Sequence, residues 1–142
     1  MRFKVLTAIG ALALLAGGTP VSASSARSGQ LHVTKECSQY TGEAGSFCTF
    51  TKSNLAAIKV GSRVFYDQAD GTPTGMLDSN VVLDAGSGNR AVGRCTVDDR
   101  TNLGLCTFSD GTGDFAGFHA RVKVDCTSVC RWDGTYMFSS GD

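Results

Sequence analysis

The chain has 142 residues, and its 13 basic side chains balance 13 acidic ones. That length suits one domain. Its charges form no basic stripe, which excludes the usual nucleic-acid footprint and makes an anionic membrane surface an equally poor partner.

In chain order, the first element is Met1-Arg2-Phe3-Lys4, an uncharged run from Val5 to Gly18, and then Pro20-Val21-Ser22-Ala23. A short basic region, an apolar stretch and small residues at Val21 and Ala23 predict a secretory signal peptide over 1–23, with Ala26 as a competing cleavage point. The run falls short of the ~20 apolar residues that span a bilayer. Removing its 23 residues, which carry Arg2 and Lys4, leaves 119 residues with 11 basic and 13 acidic side chains. The expectation is a secreted, extracellular domain over 24–142.

All six cysteines fall in that domain, and an even count in a small exported chain reads as a set of disulfides. No Cys-x-x-Cys occurs, which argues against structural zinc and a redox pair. Short β-branched and aromatic runs separated by Gly, Asn and Asp predict strands near Leu31–Lys35, Phe47–Lys52, Ser62–Gln68, Met76–Leu83, Ala91–Val97, Leu103–Ser109, Phe115–Asp125 and Val129–Ser139. Between the second and third, Asn54 to Lys59 suits one helical turn capped by Ser53 or Asn54. Seven or eight such strands make a barrel or a sandwich, and protection of sheet edges favours closure. The predicted fold is a single all-β, antiparallel, disulfide-bonded closed barrel of about eight strands.

Cys95 and Cys106 are symmetric about a turn centred between Arg100 and Thr101, so a hairpin there sets them opposite each other, where Cα atoms lie ~4.5 Å apart. Cys37 and Cys48 bracket Gly42-Glu43 in the same manner, and Cys126 with Cys130 ties a very tight turn. Sequential pairing, Cys37–Cys48, Cys95–Cys106 and Cys126–Cys130, is therefore expected. In the last hairpin this register sets Phe118, Ala120, Val122 and Val124 against Phe138, Tyr136, Gly134 and Trp132. The reverse face carries His119, Arg121, Lys123 and Asp125 against Met137, Thr135, Asp133 and Arg131. Alternation separates two faces without saying which is inside.

The run Gly111-Thr112-Gly113-Asp114-Phe115-Ala116-Gly117-Phe118-His119-Ala120-Arg121-Val122 resembles the glycine-rich signature of the allene oxide cyclase and dirigent superfamily. Val60 to Asp67, followed by Asp70-Gly71-Thr72 and Thr74-Gly75, resembles the first barrel strands of that family and the turn between them. Trp132-Asp133-Gly134-Thr135-Tyr136 is similar to the ending of its small bacterial members. The resemblance spans roughly Val60 to Phe138. It implies a barrel around a small, largely apolar organic molecule, acting as a cyclase or isomerase that guides ring closure by orientation and a few polar groups, with no cofactor.

Carried onto this chain, the resemblance nominates Asp67, at the end of the third strand, as an acid, with Tyr66 beside it. Asp67 and Asp70, if they shared a cavity, would push one carboxyl pKa upward; the plainer reading of Asp67 is a turn cap. His119 is a candidate acid or base, although on a face shared with Arg121 and Lys123 it reads equally as surface. Arg94 and Arg121 are candidate partners for a substrate oxygen, Tyr136 and Trp132 offer polar handles on an apolar face, and Phe65 is a candidate apolar contact. No Gly-x-Ser-x-Gly elbow exists, and two histidines cannot build a three-histidine metal site.

Two other readings stand beside the enzyme. Val124 to Cys130 locally resembles the secreted apoproteins that sequester enediyne antibiotics, which suggests a non-catalytic carrier of a hydrophobic metabolite. A protein-binding inhibitor domain would instead show a filled interior and an exposed apolar patch. The two pocket readings require a cavity of at least ~300 Å³. A homo-oligomer is compatible with all three.

Overall fold

A computed structural model describes residues 17–18 and 27–140. The signal peptide expected over 1–23 lies outside these residues apart from Gly17 and Gly18. Eight strands follow in order: β1 Ser28–Glu36, β2 Phe47–Ser53, β3 Arg63–Tyr66, β4 Met76–Asp84, β5 Arg90–Asp98, β6 Leu103–Thr112, β7 Phe118–Asp125 and β8 Cys130–Phe138. Each pairs antiparallel with the next, and β8 returns to β1, with Leu31 opposite Gly134 and Val33 opposite Trp132. The sheet is a closed barrel and leaves no edge strand to cover.

The hairpins obey local sequence. Cys95 lies opposite Cys106, and Phe118, Ala120, Val122 and Val124 lie opposite Phe138, Tyr136, Gly134 and Trp132. Disulfides join Cys37 to Cys48, Cys95 to Cys106 and Cys126 to Cys130, with Cα separations of 4.3, 4.1 and 3.9 Å. The expected turn after β2 is present: the Ile58 amide donates to Leu55 O at 3.0 Å, and the Leu55 amide donates to Ser53 Oγ at 3.1 Å.

Boundaries differ from expectation at β1, which opens at Ser28, at β3, which ends at Tyr66, at β6, which runs to Thr112, and at β7. Gly113–Phe115 winds into a 3-10 turn, so β7 opens at Phe118 and not at Phe115. Gly117, with φ +73°, supplies the left-handed bend that lets the chain leave the turn and enter the strand.

The apolar face of the sheet points inward. Trp132 is fully buried at the centre, with Phe50 and Phe108 at ring-centroid distances of 5.2 and 5.6 Å. Gly134, next on the same inward row, sits where a Cβ would lie 2.0 Å from Arg121 O and 2.7 Å from the Val122 Cα. Both obstacles are backbone atoms of β7, so a methyl group can be admitted only by parting two paired strands. Gly134→Ala is expected to destabilise the fold by about 3 kcal/mol, the upper end for overpacking. An unchanged urea midpoint would show that β7 and β8 do not approach so closely.

The two ends of the barrel differ. At one end Leu55, Ile58, Phe115 and Phe118 turn inward and are buried, and they fill the lumen there. At the other, where β1, β3, β5 and β7 finish, the lumen opens into a cavity of about 460 Å³.

Candidate functional site

Alternation along β1 places Leu31, Val33 and Lys35 on one row, and all three are buried. A bulge between β1 and β2 keeps β2 in step with that row. Val33 pairs with Ser53 while Lys35 pairs with Phe50, so β2 spends one extra residue between these partners. Without it, one of the two pairs would face outward, since a single-residue slip exchanges the faces of a strand. The bulge turns Phe50 and Cys48 of β2 inward beside that row, while the uninterrupted alternation of β1 carries Lys35 into the wall of the mouth cavity.

Lys35 is 3 % exposed. Its Nζ donates a hydrogen bond to the Tyr66 hydroxyl at 2.5 Å and lies 4.6 Å from the centre of the Trp132 ring. Among the described residues, no carboxylate forms an ion pair with it. The aromatic face offers the cation partial compensation, far less than water would. Burial pulls the amine from 10.5 down to about 7, so it carries its proton only about half the time near neutrality.

Tyr66 is equally buried, and burial, followed by the nearby Tyr40, pushes its phenol above the ordinary range. It therefore remains a protonated phenol beside an amine that exchanges its proton easily. Tyr40 packs edge-on against Tyr66 at 5.2 Å and donates its own hydroxyl to Asp70 Oδ2 at 3.2 Å. Its phenol is also raised, by partial burial first and the Asp70 carboxylate second. At the rim, the Asp99 carboxyl is raised by desolvation first, then by the hydrogen bond its protonated form donates to Asp70 and by the Asp70 charge. The rest of the lining is largely apolar, with Leu77, Val97, Val124 and Val129 and the Cys37–Cys48 and Cys126–Cys130 disulfides, joined by the polar side chains of Glu36, Asn102 and Ser128. The result is an apolar chamber with one amine–phenol pair in its wall and a carboxylate pair at its entrance.

Of the residues singled out from sequence, Tyr66 lines this chamber, and Trp132 stands directly against Lys35. Tyr136 also points inward, half-buried, but toward the filled end, where it packs against Phe138. The others lie on the outside. Asp67 is exposed and lines a shallow outer groove with Asn80 and Arg94. Asp67 and Asp70 do not share a cavity; Asp70 faces the mouth, where its carboxylate neighbour is Asp99. Arg94 bonds to Asp78 at 2.8 Å and to Asn80 at 3.1 Å, so its charge is already matched. Phe65 faces outward and packs on Phe47 at 5.2 Å.

His119 and Arg121 lie on the outer face of β7, opposite Met137 and Thr135. Asp133, on the same outer face, bonds to His32 Nδ1 at 2.8 Å across the β1–β8 seam. Lys35, Tyr40 and Asp99 carry the polar chemistry of the chamber and were not among the residues expected from sequence. For Lys35 a signal exists in the alternation Leu31, Val33, Lys35, which places a lysine on an otherwise apolar row.

No family model, curated protein or solved structure matches the chain.

Proposed function

We propose that the mouth cavity holds a small, largely apolar organic molecule with its oxygen-bearing end against Lys35 and Tyr66, and that the protein acts on it as a cofactor-independent cyclase or isomerase of the allene oxide cyclase-like kind. The observation that carries this reading is the amine–phenol pair set into the wall of a largely apolar chamber of about 460 Å³. Tyr66 can donate a hydrogen bond to oxygen that gains negative charge, and Lys35, half-protonated near pH 7, can give or take a proton as bonds shift. The walls would supply the remaining contribution by confining a flexible chain to its ring-forming shape. The closed barrel and the glycine-rich run Gly111 to Val122 agree with membership of the allene oxide cyclase and dirigent group.

Native mass spectrometry of the protein recovered from its own source tests the reading. The expected result is one bound organic molecule, together with conversion of its linear precursor into a ring isomer. Lys35→Met should then slow conversion by about 10²-fold or more, the usual loss when a positioned proton carrier is removed. Recovery of an unaltered molecule that the protein never converts would establish carriage in place of catalysis. A tightly bound protein with an empty chamber would establish the inhibitor reading.

A further inference from the structure

Lys35 is unlike the other lysines of the domain. Lys52, Lys59 and Lys123 are exposed, whereas the Lys35 amine is enclosed by Tyr66 and Trp132 and reaches the mouth cavity. A buried lysine that serves structure alone is expected to meet a carboxylate or a set of carbonyl oxygens. This one meets a single phenol and an aromatic face. Such surroundings favour the neutral amine, whose lone pair is a nucleophile.

We propose that Lys35 captures the carbonyl carbon of an apolar aldehyde or ketone as a protonated Schiff base, with the Tyr66 hydroxyl carrying protons between nitrogen and oxygen. The proposal rests on the reading of the mouth cavity as a binding site and names the class of molecule that enters it. The Nζ lone pair forms the new C–N bond while the carbonyl π pair moves onto oxygen, which takes the phenolic proton. Nζ returns a proton to the Tyr66 oxygen, giving a neutral carbinolamine. A second proton, delivered through Tyr66 from solvent at the mouth, lets the C–O bond break and water leave as the nitrogen lone pair closes the C=N bond. The net change joins the carbonyl compound, the neutral amine and one proton, and releases one water. No electrons are gained or lost.

Three features support this chemistry. The phenol oxygen lies 2.5 Å from the amine, close enough to exchange protons with an oxygen on the carbon that the amine attacks. At pH 7 an amine with a pKa of about 7 is half neutral, while one at the reference value of ~10.4 is neutral in roughly one molecule in 2,500. The apolar lining accommodates the hydrocarbon part of the molecule and limits the water that would reverse the condensation.

The test uses decanal with sodium cyanoborohydride on the full, disulfide-bonded chain at pH 7, with the adduct mapped by peptide mass spectrometry. Decanol and decanoate serve as probes that cannot form an imine. Their binding is read from the fluorescence of Trp132, the single tryptophan. Lys35 should be alkylated roughly tenfold or more ahead of Lys52, Lys59 and Lys123, given its larger neutral fraction. Tyr66→Phe should slow trapping by about 10²-fold while weakening decanol binding by no more than about tenfold, the worth of one hydrogen bond to its hydroxyl. Lys35→Met should bind decanol and lose the adduct at that position. If decanol binds while Lys35 is trapped no faster than the exposed lysines, capture is overturned and the binding site survives. Decanoate binding far tighter than decanol, with no trapping, would identify an anion receptor and likewise overturn capture. If no probe binds, both the site and the capture fall.

Discussion

Lys35→Met should make the protein more stable, by an amount that depends on pH. The unfolded chain binds a proton at this lysine up to the ordinary value of 10.5, whereas the folded chain gives it up near 7. Between those limits the unfolded state holds more protons, so the stability of the parent protein rises with pH from about 7 to 10.5. Below that window both states are protonated and the full penalty of burying a cation is present. The advantage of the variant is therefore greatest at pH 6, on the order of 3–5 kcal/mol. It is reduced by ~1 kcal/mol because Tyr66 loses its partner. Above pH 10.5 the penalty is gone, and only the loss at Tyr66 and the change in packing remain. Urea midpoints for both proteins at pH 6 and pH 10 measure the difference. A gap that stays constant across that range would mean that the amine is hydrated in the folded state.

Trp132→Ala should have an effect of similar size and opposite sign. The indole is fully buried and lies between Phe50, Phe108 and the Lys35 ammonium, so its loss leaves a void bordered by three side chains on three strands. Truncation of a buried tryptophan costs about 3–5 kcal/mol, because the lining collapses only in part. A domain of this size should lose on the order of 15 °C in melting temperature. Trp132→Phe retains most of the ring contact and should cost less than half as much. Equal melting temperatures for the two variants would show that the indole does not hold the barrel wall together.

Much of the fold was legible because it is local. Cys95 and Cys106 announce their own hairpin by symmetry about Arg100 and Thr101, and the Phe118–Phe138 pairing follows from alternation carried across one short turn. The pairing of β1 with β8 is different. It joins Leu31 to Gly134 across almost the whole domain, and no turn between them records that contact. Closure is also what decides which face is inside, and that face decides the fate of every candidate. Tyr66, Trp132 and Tyr136 turned inward; Asp67, His119, Arg94, Arg121 and Phe65 did not. Lys35 stands at the last inward position before β1 ends, where a lysine reads as a solvated strand end. The meeting of Asp70 with Asp99 is a product of two loops brought to one rim and leaves no trace in spacing.

The filling of one end by Leu55, Ile58, Phe115 and Phe118 has a kinetic meaning under the proposed function. A dead-end chamber admits and discharges its guest through the same doorway, so a finished molecule must back out before a fresh one can enter. Occupancy is then strictly one at a time. An unreactive look-alike lodged in the doorway would compete outright with substrate, and no concentration of substrate could queue behind it from the far side.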